Sequence, residues 1–558
     1  MNTEREAVLI RDPVARNCEA SLEIGFELPE TYNASEILFQ HLGTEIENKI
    51  AIYCDSGDMT YGDLCRSAAK TGNALRSLSL APGTRVLLFL DDTPSYPAIL
   101  FGAIRAGYVP MLINTLSPKE LLRFYVEDSE AEVAFFDAQY ADLFVGGVAE
   151  TNSLKHCIQV GSTETSLSAD RSLLDWEEWT APFDSYLPCA DTNRDDMAFW
   201  MYSSGSTGRP KGIVHLQHDM AYSARSFGER VLGIREDDIC FSVPKIFFAY
   251  GLGNSTYFPF SAGASAVLYK GRPTAEAVFA TIEKYKPTLL FGLPTLYNSL
   301  MQSDSRYKAD LSCLRLCLSA AETLSADLFN KWQQLFRHPI VEGLGSTEMT
   351  HVYLSNRLED FRIGSAGKRV PGYDLKLTDS DGNVVMPGEE GILWVRGDSS
   401  APCYWNRPDK TDDTMRGDWI YTGDRFVCDE DGFYFFRGRA DDLIKVSGQW
   451  VYPLEVELCL AEHPLVLECA VMGVELPDRR MTLHGFVVLA PEANGVTDIT
   501  RKLQGFVKRQ LVPYKYPRSI DYLDALPKTG TDKIDRQALL KSLQLQPQLN
   551  VVTAGVTS

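Results

Sequence analysis

Residues 197–212 combine side chains that could bind a phosphate group. An apolar stretch runs into Ser-Ser-Gly-Ser-Thr-Gly and then into Pro-Lys-Gly. Small residues let backbone N–H groups converge on an anion, and the hydroxyls and the Lys211 ammonium add donors. Lys211 follows Gly208 by three residues, whereas the lysine of a Walker A loop follows the glycine directly. The composition alone leaves a phosphate site and a flexible surface loop as alternatives.

Two acidic residues follow turn-rich segments and could act on a nucleotide. Glu348 comes three residues after Gly345, and Mg²⁺ prefers oxygen ligands, usually one carboxylate together with phosphate oxygens. Asp424 follows Tyr-Thr-Gly, and its two carboxylate oxygens could accept both hydroxyls of a ribose. A solvated glutamate and an aspartate that caps its own turn are the simpler alternatives.

The run 245–251, Lys-Ile-Phe-Phe-Ala-Tyr-Gly, is apolar and aromatic. It could form the wall of a pocket for a flat ring, which would pack by offset or edge contacts. An aromatic run of this kind also suits an ordinary hydrophobic core. Both interpretations stay open at this point.

Five blocks, in order, resemble the adenylate-forming superfamily, which includes acyl- and aryl-CoA synthetases, peptide-synthetase adenylation domains and firefly luciferase. The blocks are Tyr202-Ser-Ser-Gly-Ser-Thr-Gly-Arg-Pro-Lys-Gly, Gly345-Ser-Thr-Glu, Tyr421-Thr-Gly-Asp, Gly438-Arg-Ala-Asp-Asp-Leu-Ile-Lys-Val-Ser-Gly and Pro527-Lys-Thr-Gly-Thr-Asp-Lys-Ile-Asp-Arg. The resemblance spans roughly residues 35–540. Within the superfamily, Phe247-Phe-Ala-Tyr-Gly-Leu-Gly-Asn and Glu348-Met-Thr-His look most like benzoate-CoA ligases.

The resemblance implies a set of ATP-binding residues. They are Ser203, Ser204, Gly205, Ser206, Thr207, Lys211, Ala320, Ala321, Glu322, Gly343, Leu344, Gly345, Ser346, Thr347, Asp424 and Arg439. The loop 203–211 would close on the phosphates, Asp424 and Arg439 would reach the ribose, and Gly343, Leu344 and the stretch 319–322 would flank the adenine. Glu348 and Thr207 would hold Mg²⁺.

The resemblance also implies two half-reactions, run by a small domain that rotates between two poses. Asp441 would be the pivot, and Lys533 would be the catalytic lysine of adenylation. In the second pose Lys445 and Gly448 would face the site, with Gly448 leaving room for the pantetheine arm of coenzyme A.

An aromatic acid is the substrate that the resemblance implies. Its pocket would be lined by Phe248, Ala249, Tyr250, Gly251, Phe258 and His351. Peptide-synthetase domains usually carry an aspartate near Phe248 to pair with an ammonium, and burying an unpaired ammonium would cost several kcal/mol. Benzoate, 2-aminobenzoate and hydroxybenzoates are therefore favoured over amino acids. His351, Tyr250 or Thr350 could bond a polar ring substituent, and the sequence does not choose among them.

Two residues depart from the family pattern. Asp532 stands before Lys533, where most relatives have glycine, and could pair with that lysine or restrict its loop. Ala321 stands where aryl-CoA ligases usually have glycine. If Ala321 lines the acid pocket, its methyl group would narrow the pocket, an effect worth about 1–3 kcal/mol of discrimination.

The chain's pattern predicts an α/β protein whose elements could position these residues. Between about residues 37 and 290, short apolar runs alternate with amphipathic stretches, which is typical of parallel sheets with helical layers. Residues 85–90 predict a buried strand, and 95–107 predict a helix that ends at Gly107. Turn signals between residues 373 and 421 predict a β-rich subdomain.

The predicted organisation is a large domain of residues 1–440 and a small, mobile α+β domain of residues 441–558. In the small domain we expect a helix at 453–462 and strands at 467–474 and 485–489. At 558 residues the chain is longer than one core usually supports.

Composition narrows the classes of partner. Fifty-four Lys and Arg against 75 Asp and Glu give a net charge of −21, which disfavours a nucleic-acid backbone as a partner. No secretory signal or run of about 18 apolar residues is visible, so no membrane association is expected. Twelve scattered cysteines without a CxxC pair suggest a reducing, cytoplasmic location.

The sequence therefore predicts an ATP- and Mg²⁺-dependent aryl-CoA ligase, acting as a monomer or homodimer. An aryl-adenylating ligase that loads the pantetheine of a separate carrier protein is the alternative among enzymes. The Asp532 departure also leaves open a non-catalytic nucleotide-binding paralogue.

Overall fold

The computed structural model describes residues 22–161, 172–203, 210–440, 444–446, 449–476, 480–528 and 534–544. The strands, in chain order, are β1 (Ile50–Cys54), β2 (Met59–Thr60), β3 (Arg85–Phe89), β4 (Val109–Leu112), β5 (Val133–Asp137), β6 (His156–Val160), β7 (Ser172–Asp175), β8 (Met197–Ser203), β9 (Lys211–Leu216), β10 (Ile239–Ser242), β11 (Ser265–Leu268), β12 (Leu289–Gly292), β13 (Leu316–Ser319), β14 (Ile340–Gly345), β15 (Val352–Ser355), β16 (Lys368–Arg369), β17 (Asp374–Thr378), β18 (Glu390–Arg396), β19 (Met415–Arg416), β20 (Trp419–Cys428), β21 (Tyr434–Arg439), β22 (Ile444–Val446), β23 (Gln449–Val451), β24 (Val466–Glu475), β25 (Met481–Leu489) and β26 (Ser519–Tyr522).

The α-helices cover Glu36–Phe39, Tyr61–Ser77, Ser95–Ala106, Lys119–Ser129, Ala141–Val148, Trp176–Thr180, Asp219–Ser223, Ala249–Leu252, Phe258–Ser261, Ala275–Tyr285, Pro294–Gln302, Ala326–Phe336, Pro408–Thr414, Pro453–Ala461, Ile499–Gln510 and Arg536–Gln544. The 3₁₀-helices cover Glu45–Asn48, Ala138–Tyr140, Asp304–Tyr307, Thr347–Met349, Pro491–Ala493 and Pro513–Lys515. Two segments, Ala224–Glu229 and Gly253–Tyr257, are π-helical.

Sheet A has seven strands in the order β7-β6-β5-β3-β4-β8-β9, parallel except for the antiparallel pair β8 and β9. The predicted strand at residues 85–90 is confirmed as β3, whose last four residues are buried. The predicted helix is confirmed as Ser95–Ala106, and Gly107 ends it with a φ of +90°. Glycine adopts this left-handed conformation without the steric cost of a Cβ, which explains the stop.

Sheet B has nine strands in the order β16-β15-β14-β13-β12-β10-β11-β1-β2. Its central strands, from β14 to β1, are parallel and nearly all buried, and antiparallel strands close both edges. Two buried helices, Tyr61–Ser77 and Ser95–Ala106, contribute side chains to a hydrophobic core that also receives residues of both sheets. The predicted α/β layers are therefore confirmed.

Charged side chains connect sheets A and B at the carboxyl ends of their parallel strands. Asp91, after β3, lies 3.3 Å from the Nζ atom of Lys245, which follows β10. Asp137, at the end of β5, lies 3.5 Å from Nζ of Lys270, which follows β11. Because Asp91 and Lys245 are both largely buried, salt screens that pair weakly, whereas Lys270 is exposed. Carboxyl ends of parallel strands are also where ligands usually bind in open α/β sheets.

Sheet C is the predicted β-rich region, with β17, β18, β20 and β19 in order and β21 paired to β20, all antiparallel. Beyond it, β24, β25 and β26 form a separate sheet with its own hydrophobic clusters, and the helix Pro453–Ala461 packs on it. The predicted helix and the first predicted strand are confirmed within one residue at each end. The second strand begins at Met481, four residues early, because Met481 pairs with Glu475 of β24.

A hydrogen bond from Tyr452 is among the contacts that connect the last part of the chain to sheet C. The Tyr452 hydroxyl donates to Oε1 of Glu390 at 2.5 Å, and Nε of Arg425 donates to the same oxygen at 2.5 Å. The domain boundary between residues 440 and 441 stays a prediction, since 441–443 lie outside the described residues. Among the helices that the structure describes, none is both long and apolar enough to cross a membrane.

Candidate active site

The two ends of the predicted phosphate loop lie opposite each other. Strands β8 and β9 pair antiparallel, and Ser203 is the register partner of Lys211. A rigid hairpin at the edge of sheet A therefore holds both ends of the loop. Ser204, Gly205, Ser206 and Thr207 lie outside the described residues, so their predicted roles stay predictions.

Lys211 is half-buried at the start of β9, and its Nζ atom lies 4.0 Å from the ring centroid of Tyr404. Burial lowers the pKa of Lys211, and the nearby Glu348 carboxylate opposes that shift. The predicted phosphate ligand and the predicted metal ligand are thus neighbours. Within the described part of the chain, no ion pair joins them.

Glu348 lies in the 3₁₀-helix Thr347–Met349, which follows β14. Its Oε1 atom accepts a hydrogen bond of 2.8 Å from the Tyr404 hydroxyl, and its backbone oxygen accepts one of 2.7 Å from the Ala401 amide. No Lys or Arg of the described residues neutralises this carboxylate by an ion pair. A single carboxylate without an ion pair, beside the predicted phosphate ligand Lys211, fits Mg²⁺, which needs few protein ligands when phosphates supply the others. The described residues contain no cluster of three or more metal-ligating side chains.

Thr350 fixes the end of the Glu348 turn. It is fully buried and has a φ of +66°, a true outlier for a β-branched residue. Its hydroxyl donates to the Ser399 carbonyl at 2.9 Å and lies 3.1 Å from Nδ1 of His215. Strain of this kind persists only where the surroundings over-determine it, so these contacts lock the turn.

Asp424 and Arg439, both predicted to reach a ribose, face each other across β20 and β21. Nη1 of Arg439 lies 3.0 Å from Oδ1 of Asp424 and 2.9 Å from the Thr422 carbonyl oxygen. Tyr353, buried on β15, has a phenol pKa raised by burial and then by the charges of Asp424 and Glu348. The charges of the ribose candidate Asp424 and of the metal candidate Glu348 therefore both act on the same buried phenol.

The segments predicted to flank adenine meet where β13 and β14 end. These strands are parallel neighbours with Ser319 opposite Glu342, so Ala320, Ala321 and Glu322 lie next to Gly343, Leu344 and Gly345. At Gly345 a Cβ atom would lie 2.2 Å from the backbone oxygen of His351. Glycine is therefore required there by the close approach of two backbone segments. Ser346 and Thr347 lead directly into the Glu348 turn.

Ala321 has a φ of +72° and is exposed. An L-residue in this left-handed region costs roughly 1–2 kcal/mol relative to the right-handed one. The glycine usual at this position in aryl-CoA ligases thus has a conformational reason, in addition to the pocket width considered from the sequence.

Glu342 is a residue that sequence reasoning missed. Its side chain is buried, and its Oε1 atom accepts a hydrogen bond of 3.1 Å from the Leu324 amide. It thereby anchors the loop that carries Ala320–Glu322. Burial raises the pKa of Glu342 to about 8, and the Leu324 amide opposes the shift.

Folding stability is expected to fall as the pH rises from about 4.3, the ordinary glutamate value, to about 8. In that window the folded chain keeps the Glu342 proton and the unfolded chain has lost it, at a slope of up to about 1.4 kcal/mol per pH unit. We expect Glu342→Gln to remove this slope and to be more stable than wild type at pH 8. Denaturant unfolding from pH 5 to 9 measures it. The exposed Glu283→Gln is the control, and an unchanged slope in Glu342→Gln would contradict the prediction.

The predicted acid-pocket segment shows a break in burial. Ile246 and Phe247 are buried, residues 251–260 are buried, and only Phe248, Ala249 and Tyr250 between them are half-buried. Phe248 is the extended residue before the helix Ala249–Leu252, and Ala249 and Tyr250 begin that helix, which continues as the π-helix Gly253–Tyr257. Such π-helical turns occur frequently at functional sites.

Gly251 has a different role from that of the half-buried residues before it. A Cβ atom there would lie 2.0 Å from the backbone oxygen of Lys245. Glycine is needed for the chain to pack on its own backbone. Phe258 is buried, and its ring centroid lies 4.5 Å from that of His351.

Of the three candidates, only His351 has a buried side-chain polar atom without a hydrogen-bond partner among the described residues. Thr350 donates to the Ser399 carbonyl, and the Tyr250 hydroxyl donates to the Leu318 carbonyl at 3.3 Å. Nε2 of His351 lies 3.2 Å from the Tyr250 carbonyl oxygen, which assigns the proton to Nε2. Nδ1 is then a buried acceptor without a partner among the described residues. Burial lowers the pKa of His351 to about 3, so the ring is neutral.

Several predicted residues of the second half-reaction lie outside what the structure describes. They are Asp441, Gly448, Asp532, Lys533 and the side chain of Lys445. The backbone of Lys445 belongs to β22, paired with β23. Arg536, three residues after Lys533, contacts both carboxylate oxygens of Glu457 at 2.7 and 2.9 Å. The segment following Lys533 is therefore fixed to the core of its sheet.

Comparisons with known proteins give matches over most of the chain. Residues 39–405 match the family model of AMP-binding enzymes, and residues 455–533 match that of the AMP-binding enzyme C-terminal domain. The chain is 41% identical to the benzoate–CoA ligase of Thauera aromatica, covering 91% of this chain and 96% of that one. It is 40% identical to the 4-hydroxybenzoate–CoA/benzoate–CoA ligase of Rhodopseudomonas palustris, covering 91% and 94%. The anthranilate CoA ligase AuaEII, solved with anthranoyl-AMP, superimposes with a TM-score of 0.87 at 36% identity, covering 92% and 98%.

Proposed function

Because the chain belongs to the AMP-binding enzyme family, we propose that it is an ATP-dependent aryl-CoA ligase. The observation that carries this proposal is the half-buried aromatic wall at Phe248–Tyr250, next to a site that combines Lys211, Glu348 and Asp424. The first supplies a surface for a flat acid, and the second supplies the groups that a magnesium–nucleotide complex needs. The products are an aryl-CoA thioester, AMP and pyrophosphate.

The reaction proceeds in two steps. In the first, a carboxylate oxygen of the acid attacks the α-phosphorus of ATP, the new P–O bond forms, and the bond to pyrophosphate breaks. In the second, the thiol sulfur of coenzyme A attacks the acyl carbon, its proton is lost, and AMP leaves with the electron pair of the C–O bond.

Different residues of this chain have different roles in the first step. Lys211 and the loop 203–211 bind the phosphates, and Asp424 with Arg439 orients the ribose. Glu348 and Thr207 would hold Mg²⁺, which when bound supplies charge that neutralises the phosphates. Lys533 would bring a cation between the carboxylate and the α-phosphate, and Lys445 and Gly448 would replace it for the second step after a rotation at Asp441.

The substrate class that we propose is a benzoate with or without a hydroxyl or amino group on the ring. The relatives named above act on benzoate, 4-hydroxybenzoate and anthranilate, which share the flat ring and differ in one hydrogen-bond donor. The acceptor Nδ1 of His351 complements such a donor. An amino acid would place an ammonium against Phe248, where no carboxylate is present to pair with it.

His351→Phe is expected to lower kcat/KM for the preferred hydroxy- or aminobenzoate by about 10–100-fold relative to benzoate. The reason is the lost hydrogen bond to a buried group, worth about 1–3 kcal/mol, while an aromatic ring still fills the space. Steady-state kinetics with both acids gives the ratio. If the ratio of the two kcat/KM values stayed unchanged, or if the wild-type enzyme rejected all ring-substituted acids, His351 would not be the residue that recognises the substituent.

An exchange assay between ATP and pyrophosphate, run over a panel of acids, tests the proposed function. We expect benzoates to stimulate exchange far more than octanoate or phenylalanine do. Exchange that no aromatic acid stimulates would disprove the proposal. Comparing free coenzyme A with a pantetheinylated carrier protein as acceptor then identifies the thiol.

We also propose a reducing, cytoplasmic setting, on the basis of the cysteine usage.

A further inference from the structure

Tyr404 lies between the predicted phosphate ligand and the predicted metal ligand, and nothing in its sequence neighbourhood marks it. It is 2% exposed. Its segment runs antiparallel to β9, with Tyr404 bridged to Ile213 and a hydrogen bond of 2.8 Å from the Trp405 amide to the Gly212 carbonyl. The backbone of Tyr404 is thus fixed to the strand that begins with Lys211.

The side chain of Tyr404 contacts both charged residues through different groups. Its hydroxyl donates to Oε1 of Glu348 at 2.8 Å, and its ring faces Nζ of Lys211 at 4.0 Å from the centroid. Each contact satisfies one charge without neutralising it. A direct bond between the ammonium and the carboxylate would instead use the groups needed for phosphate and for metal.

The two contacts also differ in strength. A hydrogen bond to an ionised carboxylate is strong and directional, so the Oε1 atom of Glu348 is held in place. A cation over an aromatic face is held more weakly. Lys211 can therefore leave the ring when phosphate oxygens offer charge-assisted hydrogen bonds, while Glu348 stays oriented.

We propose that Tyr404 is a positioning residue that orients Glu348 for Mg²⁺ and keeps Lys211 available for the phosphates, thereby coupling metal binding to nucleotide binding. This inference rests on the proposed function. It assigns no chemistry to Tyr404 itself, which acts through Glu348 and Lys211.

Two substitutions separate the two contacts. Tyr404→Phe removes the hydroxyl and keeps the ring, whereas Tyr404→Leu removes both. Tyr61→Phe is the matched control, because Tyr61 is also buried and its hydroxyl donates to the Ala264 carbonyl at 2.5 Å, away from these residues. The melting temperatures of all three variants report how much folding stability each substitution removes.

The measurement is the affinity for α,β-methylene-ATP by titration calorimetry, with and without Mg²⁺ and with no acid present. We expect Tyr404→Phe to reduce the gain in affinity that Mg²⁺ gives by about tenfold or more, with metal-free affinity unchanged. Tyr404→Leu should in addition change the metal-free affinity by about two- to fivefold, as Lys211 loses its ring contact. Tyr61→Phe should retain the wild-type gain.

The inference would be overturned if Tyr404→Phe kept the wild-type gain in nucleotide affinity from Mg²⁺. It would also be overturned if Tyr61→Phe lost as much of that gain as Tyr404→Phe does. A wild-type protein whose nucleotide affinity does not respond to Mg²⁺ would also overturn it. The proposed function fails separately, since it is judged by acid-stimulated pyrophosphate exchange and this titration contains no acid.

Discussion

Lys533→Ala is expected to slow formation of the aryl-adenylate by about 10²–10³-fold, the scale of losing one group that stabilises transition-state charge. Negative charge grows at the α-phosphate as pyrophosphate leaves, and a cation between the two reactants stabilises the transition state more than the ground state. Thioester formation from supplied benzoyl-adenylate should change far less, because Lys533 would have withdrawn by then. Rapid-quench measurement of each half-reaction tests both statements.

A control for this prediction lies in the same segment. Lys528 is half-buried and pairs with Glu468 at 3.2 Å, so Lys528→Ala removes a lysine charge that already has a structural partner. We expect it to leave the ratio of the two half-reactions unchanged. Equal losses of both half-reactions in Lys533→Ala would show that this lysine supports the fold, and would contradict a role in adenylation chemistry.

Ala249→Phe is expected to abolish the use of benzoate while nucleotide affinity stays within about twofold of wild type. Ala249 begins the helix at the half-buried stretch, where a phenyl group would occupy the space proposed for the ring of the acid. Overpacking of a filled site is costly, and here the competing group is the substrate itself. Calorimetry with nucleotide and exchange assays with benzoate give the two readings.

Ala249→Gly is the matched control for this substitution. It enlarges the same position and should retain activity with benzoate, apart from a loss of helix stability of about 1 kcal/mol. If Ala249→Phe kept its activity with benzoate, the acid would have to bind somewhere other than at this wall. Loss of nucleotide binding in the same variant would show instead that the change damages the whole site.

The sequence predicts the layers of this fold well, because local pattern governs them. The helix Ser95–Ala106 follows from its apolar spacing and from Gly107, and the structure adds only the φ that explains the stop. The start of β25 could not be predicted, because its pairing with β24 sets that end. The π-helix Gly253–Tyr257 has no local signal either, since its apolar and small residues suit an ordinary helix equally well.

The residues of the candidate site also fall into two groups, those that the sequence could suggest and those that it could not. Residues inside contiguous blocks, such as Lys211 and Glu348, became candidates through the resemblance of those blocks to the family, and their roles stay predictions. Tyr404 and Glu342 could not be found in this way, because each acts through a contact with a segment distant in the chain. The choice of His351 over Tyr250 and Thr350 needed the hydrogen-bond partners of all three, which only the folded structure provides.

The π-helix Gly253–Tyr257 has a consequence for how this enzyme could evolve. A π-helical turn closes a wider ring than an α-helical one, so it accommodates an extra residue within an otherwise regular helix. Loss of one codon in this segment would therefore convert the wide turn into an ordinary α-helical one, while β10 and β11 on either side keep their register in sheet B. If the wall at Phe248–Tyr250 binds the acid, as we propose, such a change would alter the pocket by one residue and leave the buried sheets intact.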